Sequence, residues 1–304
     1  MFLIPFVIGC TGGGESYAEF TFEDVISIFQ NTSEPSEQPA PPTAVNQTDI
    51  ISIASFNIQV FGKTKASKPE VMATIVNIIS QFDVVAIQEI RDKSGTAIVK
   101  LENMMDATGT NYDYVIGQRL GRTSSKEQYA YMYRTDTIEP MVCISMEDSF
   151  DKFHREPYMC SFKAKNGTFD FVLITIHTDP DEATDEIEAL LTLALTEARD
   201  HFTNESDFII LGDLNADCTY FDESAYQNPI MNHWIIGNEL DTNLAKSSCT
   251  YDRIIITNEA NEDYTGNSGV FRFDTLYDLP YTEAKKVSDH YPVFGDFYIT
   301  KDTD

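Results

Sequence analysis

Two histidines and a set of carboxylates and amides stand where apolar runs of this chain begin or end. Ser55-Phe56-Asn57 ends one run and Gln88-Glu89 another, while His177 follows Phe171 to Ile176. Gly212-Asp213-Leu214-Asn215 follows Phe208 to Leu211, Tyr251-Asp252-Arg253 opens Ile254 to Ile256, and Ser288-Asp289-His290 lies just before the last run. Ends of buried strands are where α/β folds place ligands and catalytic groups. Oxygen ligands of this kind suit a hard divalent cation, and two imidazoles suit proton transfer near neutral pH. The combined chemistry is metal-assisted phosphodiester cleavage. Each motif alone has a plainer explanation. A lone His after a strand is usually a hydrogen-bonded core residue, Gly-Asp-X-Asn is a good turn, and Asp252 beside Arg253 would serve as an ion pair. Those explanations leave the order and spacing of the whole set unaccounted for.

The elements that must position these groups follow from the apolar pattern. Strands are predicted over Ile50 to Phe56, Val84 to Ile87, Tyr112 to Ile116, Tyr129 to Tyr133, Ile138 to Ser145, Tyr158 to Lys163, Phe169 to Ile176, Phe208 to Leu211, Ile254 to Thr257 and Val293 to Ile299. Helical periodicity fits Lys68 to Ser80, Thr96 to Thr108, Thr184 to His201 and Ser224 to Asn228. β-type runs buried on both faces, with helices between them, predict an α/β protein of two packed sheets flanked by helices. Residues 49–304 fit one large domain, and an apolar content of 42% supports its core. No internal repeat occurs, nor any apolar run long enough for a membrane-spanning helix.

Residues 1–48 read as a separate N-terminal segment. Val7-Ile8-Gly9-Cys10 is lipobox-like, with a small residue before a cysteine that lipid would modify, giving membrane attachment. No Lys or Arg precedes it, so an ordinary signal-peptide remnant or an extra strand stays open beside lipidated Cys10. Tyr17 to Gln30 has partly helical apolar spacing, and Asn31 to Asp49 has the composition of an extended linker.

The ordered set resembles the deoxyribonuclease I family, within the endonuclease/exonuclease/phosphatase group, over nearly all of Ile50 to Ile299. The resemblance runs from Ser55-Phe56-Asn57-Ile58-Gln59 through Gln88-Glu89-Ile90-Arg91, Gly121-Arg122 with Lys126-Glu127, and Phe153-His154-Arg155-Glu156-Pro157. His177, Asp213-Leu214-Asn215, Tyr251-Asp252-Arg253 and Ser288-Asp289-His290 complete it. It implies a four-layer sandwich of two packed mixed β-sheets flanked by helices, with the site at one edge. It implies His290 paired with Asp252 as general base and His177 paired with Glu127 as general acid, assisted by Asp213, Asn215 and Asn57. Mg²⁺ or Mn²⁺ would be held by Glu89, with Asn57, Asp213 and Asp289 as ligands or phosphate-orienting groups. For structural Ca²⁺, Asp241 and Ser247 stand at one family site, where Asn243 and Ala245 replace threonines, and Asp151, Phe153 and Glu156 fit a second. DNA contacts fall on Arg91, Arg155, Arg122, Gln59 and Tyr251. Ser125 replaces a stacking tyrosine of the family, which removes one duplex contact.

A Cys218–Cys249 disulfide is also implied by the resemblance. Cys143 and Cys160 lie on two β-type runs that flank one loop, where antiparallel pairing brings them within bridging range. Two disulfides predict an oxidising, extracytoplasmic compartment, with the protein secreted or lipid-anchored; reduced thiols in a cytosolic protein are the alternative. Forty-nine acids against 21 bases give a net charge of -28, which repels a polyanion at long range. Local arginines and a bound cation would set the field inside the cleft, and salt screens the rest. The expected function is a monomeric, divalent-metal-dependent endodeoxyribonuclease acting on DNA. Two alternatives remain: a phosphodiesterase or phosphatase of another branch, acting on RNA or a phospholipid headgroup, and a catalytically silent module that binds DNA or a protein.

Overall fold

A computed structural model describes residues 49–221 and 233–302. The N-terminal segment with Cys10, and the helix expected over Ser224 to Asn228, lie outside the described residues. In chain order the strands are β1 (Ile50–Phe61), β2 (Val84–Ile90), β3 (Tyr112–Ile116), β4 (Gln128–Arg134), β5 (Ile138–Ser145), β6 (Tyr158–Ala164), β7 (Asp170–His177), β8 (Phe208–Asp213), β9 (His233–Trp234), β10 (Asp252–Ile256), β11 (Tyr264–Val270) and β12 (Val293–Tyr298). They form two six-stranded sheets, ordered β11-β12-β1-β2-β4-β3 and β5-β6-β7-β8-β10-β9. Only the central pairs β1/β2 and β7/β8 run parallel, so both sheets are mixed.

Period-two alternation divides each central strand between two apolar layers. Ile51 and Ile53 of β1 pack with Leu173 of β7, Leu211 of β8 and Ile254 of β10 between the sheets. An aromatic chain fills the same layer, running from Phe297 through Phe169, Phe171 and Phe162 to Tyr131, with neighbouring centroids 4.8–5.8 Å apart. The opposite face of the second sheet presents Val172, Ile174, Phe208 and Ile210 to the helical segment from Ala183 to His201. Helices Pro69–Ile79, Thr96–Asp106 and Tyr281–Val287 belong to the first sheet's half of the chain. The four-layer architecture read from the sequence is the observed one.

Local departures have physical causes. The single helix expected over Thr184 to His201 is interrupted by a π-helical turn at Leu190–Ala194. That wider turn keeps Leu190, Leu191 and Ala194 all buried against the sheet. β1 runs past Phe56 to Phe61, with its register against β2 shifting between Asn57 and Phe61. Strand β11, with two glycines and few large apolar residues, carries no strand signal of its own. It exists because β12 offers it hydrogen-bonding partners.

Candidate active site

Strand register alone gathers the central groups. On the second sheet His177 pairs with Asp213 across β7/β8, and Asp213 pairs with Asp252 across β8/β10, so three strands present three reactive side chains in one row. Gly212 permits this approach: a Cβ there would lie 2.0 Å from the Ile176 carbonyl oxygen. On the first sheet Asn57 pairs with Gln88 beside Glu89. Polar contacts then tie the two rows together. Gln88 Nε2 donates to Thr175 Oγ1 of β7 at 2.9 Å, and Asn57 Nδ2 donates to Asp213 Oδ2 at 2.9 Å. Ser288 Oγ donates to the Asn57 carbonyl oxygen at 2.6 Å, which anchors the segment carrying Asp289 and His290.

Both imidazoles meet a buried carboxylate through Nδ1: His177 with Glu127 Oε2 at 2.9 Å, His290 with Asp252 Oδ2 at 2.8 Å. A carboxylate accepts, so each Nδ1 carries the proton and each Nε2 is left for the site. Both Nε2 atoms lie 3.5 Å from the same oxygen, Asp213 Oδ2. Burial opposes charge on His290, but Asp252 and Asp213 outweigh it and raise its pKa to about 10. His177 is likewise raised, with burial overcome by Asp213 and Glu127. Burial also works against ionised Glu127, yet His177, Arg155 and Arg91 draw it down to about 2. Asp252 has no cation besides His290; burial, with the Asp213 charge added, pushes it up to about 6.

Beside these pairs stands a set of oxygen donors. Asn57 Nδ2 contacts both Asp213 and Glu89, while Asn57 Oδ1 is buried without a hydrogen-bond partner. Glu89 sits in left-handed backbone at φ 61°, and so does the β-branched, half-exposed Val60 at φ 52°. Strain of this kind costs on the order of 1–3 kcal/mol per residue and clusters at functional sites. Here it aims the Val60 N–H at Glu89 Oε2, 2.8 Å away. Asp289 Oδ2 contacts Gln59 Nε2 and, at 3.0 Å, Lys285 Nζ. An unpartnered buried oxygen within an all-oxygen set fits a hard divalent cation held by Asn57, Glu89, Asp289 and Asp213. Asp213, Asp252 and His290 also offer ligand atoms within 4.8 Å of one another; these are the carboxylate-backed ring and the neighbouring carboxylate described above.

Other residues singled out from the sequence fall in different surroundings. Arg155, expected at a DNA-facing surface beside Glu156, is instead buried: its Nε lies 3.3 Å from Glu127 Oε2 and its Nη1 donates to the His177 carbonyl oxygen at 3.1 Å. Arg91 Nη2 bridges Glu127 at 2.8 Å and Glu89 at 3.0 Å, with Nη1 3.4 Å from Ser125 Oγ. Arg122 pairs with Asp151 and Glu182, so the Asp151 carboxylate already has a cation. Phe153 is buried and its N–H donates to Asp148, while Glu156 is half-buried. Asp241 Oδ1 accepts from the N–H of Asn243, and Ser247 is exposed. Asn215, at φ 47°, turns its amide to the Thr178 carbonyl oxygen. The Tyr251 ring stands 6.3 Å from that of His290. Cys143–Cys160 bridges paired positions of β5 and β6, and Cys218–Cys249 closes the second disulfide.

Two contributors escaped sequence reasoning. Tyr129 Oη accepts the His177 N–H at 2.9 Å; its only signal was an aromatic in an apolar run. Lys65 is buried behind the oxygen set, its Nζ donating to the Val287 carbonyl oxygen at 2.7 Å. Burial lowers its pKa to about 8 against the pull of Asp289 and Glu89.

Residues 54–290 match the model of the Endonuclease/Exonuclease/phosphatase family. The chain is 36% identical to deoxyribonuclease gamma of Mus musculus over 266 residues, covering 82% of this chain and 85% of that protein. It is 32% identical to deoxyribonuclease-1 of Bos taurus over 257 residues, covering 80% and 90% respectively. Among solved structures, a mannosyl-6-phosphatase from Bacteroides thetaiotaomicron aligns with a TM-score of 0.53 at 15% identity, over 81% of this chain and 98% of that one. The human Nocturnin catalytic domain aligns with a TM-score of 0.53 at 14% identity, over 83% and 95%. These last two likenesses concern the fold alone.

Proposed function

Because the chain belongs to the deoxyribonuclease I family, within the endonuclease/exonuclease/phosphatase group, we propose that it is a metal-dependent endonuclease that hydrolyses DNA phosphodiester bonds. The observation that carries this reading is the convergence of two carboxylate-backed imidazoles on one oxygen of Asp213, beside an oxygen set suited to a cation. His290, oriented by Asp252, takes the proton of the attacking water. His177, oriented by Glu127, gives a proton to the departing sugar oxygen. Asn57, its amide fixed by Asp213, orients the phosphate between the two rings. A bound Mg²⁺ or Mn²⁺, held by Glu89, Asn57, Asp289 and Asp213, would supply positive charge at the phosphate oxygens and offset the carboxylates around His290.

The disulfides support an extracytoplasmic location. Attachment through Cys10, structural Ca²⁺ and the monomeric state belong to the same proposal. Among the described residues no helix is long and apolar enough to cross a membrane. Supercoiled plasmid incubated with Mg²⁺ or Mn²⁺ tests the reading directly. Nicking that disappears with EDTA and returns with added metal is expected. Nicking that survives exhaustive chelation, or no nicking with either ion, rejects it.

A further inference from the structure

In a chain with 49 acids and 21 bases, residues 50–69 hold three lysines and no acid. The lysines follow directly on the end of β1, whose Val60 N–H bonds Glu89. Lys65 is buried and ties this segment to Val287, at the end of the helix Tyr281–Val287 that carries Lys285. Its ammonium lies within electrostatic reach of Asp289, Glu89, Lys68 and Lys285. Lys285, 3.0 Å from Asp289, marks the Asp289 side of the site, and Lys63 and Lys68 belong to the segment that Lys65 ties to the end of that helix. Lys63 and Lys68 are exposed, and among the described residues neither ammonium bonds an acid. Lys285 reaches Asp289, whereas Lys286 is closed onto Glu283. By contrast Arg91 is paired with Glu89 and Glu127, and Arg122 with Asp151 and Glu182.

We propose that Lys63 and Lys68 form a phosphate-binding ridge that holds the DNA backbone on the His290 side of the cleaved bond. The ridge rests on the nuclease reading above and adds where the polyanion is gripped. Ammonium groups are compact point charges that take backbone phosphate without reading base sequence. With a net charge of -28 opposing the approach of DNA, attraction must come from such a local cluster, and it must weaken steeply with salt.

The test uses the full chain with Lys63→Ala/Lys68→Ala, and Lys63→Arg/Lys68→Arg as the charge-keeping control. Duplex kcat/KM is measured across about 50–200 mM salt and divided by that for a small phosphodiester such as bis(p-nitrophenyl) phosphate. For the alanine pair the logarithmic salt slope should become shallower by about 2, at roughly 0.9 for each phosphate no longer neutralised, and the duplex-to-small-diester ratio should fall about tenfold at ~0.1 M salt. The arginine pair should keep both. Parental slope and ratio in the alanine pair overturn the ridge alone, while a parent that cleaves the small diester but not DNA overturns the nuclease reading and the ridge with it.

Discussion

The two imidazole–carboxylate pairs have nearly equal hydrogen bonds, 2.9 and 2.8 Å, but opposite surroundings. Glu127 is shared among His177, Arg91 and Arg155, whereas Asp252 has His290 as its one cation among the described residues. Two guanidinium groups absorb much of the negative charge of Glu127, so it orients His177 more than it holds the proton there. Asp252 returns its full charge to His290, which is raised to about 10 and becomes a strong proton acceptor once neutral. Two imidazole–carboxylate pairs of the same geometry are thus biased in different directions by cations one layer further out. That bias matches the roles proposed for them, a ready donor at His177 and a strong acceptor at His290.

The largest expected effect comes from removing either ring. His177→Ala and His290→Ala should each lose about 10²–10⁴-fold in kcat on plasmid DNA. Circular dichroism should show the fold retained. Near-parental rates in both variants would reject the roles and the comparison together.

Replacing the carboxylates separates the halves. Asp252→Asn should cost more in kcat than Glu127→Gln, because the Asp252 charge acts on His290 undivided by any other cation, whereas that of Glu127 is shared with two arginines. Equal losses would show that the two arginines leave Glu127 no less committed to His177.

Arg155 measures the same asymmetry as stability. Arg155→Leu strips a buried cation from buried Glu127, which Arg91 and His177 then compensate only in part. About 3 kcal/mol of stability should be lost, the lower end of the range for breaking a buried pair, with Tm falling roughly 6–12 °C. Thermal unfolding within a degree of the parent would mean that Arg155 adds nothing to the Glu127 half.

Behind that half lies Glu186, which accepts the N–H of His154 at 2.7 Å and of Asp179 at 3.2 Å. Burial raises its pKa to about 7. Its folded value lies above the unfolded one, so its favourable contribution is complete at acidic pH and is lost as pH rises through about 7. Glu186→Gln should accordingly gain about 2–6 °C in Tm relative to the parent between pH 5 and pH 8. A flat difference across that range would show that Glu186 ionises as easily as an exposed carboxylate.

Most of the fold was legible because its central strands are buried on both faces and read as unbroken apolar runs, such as Phe171 to Ile176 and Phe208 to Leu211. β11 was not, because Tyr264–Val270 takes its shape from β12 and not from its own side chains. The reactive groups were legible as polar residues stranded at the ends of such runs. The supporting layer was hidden because its contacts join positions far apart: Arg155 reaches Glu127, 28 residues away, and Lys65 reaches Val287, 222 residues away. Charge in a sequence also says nothing of depth, which is why Arg155 reads as a surface group and proves to be buried.

Gly212 has a consequence beyond its own backbone. An absent methyl group acts as a spacing gauge between neighbouring strands, since a Cβ would stand 2.0 Å from the Ile176 carbonyl oxygen and real contacts essentially never fall below 3.0 Å. Restoring that methyl would wedge β7 from β8 by about 1 Å, a displacement that costs reacting groups on the order of 10²-fold in rate. The gap between His177 and Asp213 is thus a tolerance machined into the chain by one omitted carbon. Catalytic alignment can therefore be lost through a substitution that alters no ionisable group, no ligand atom and no surface residue.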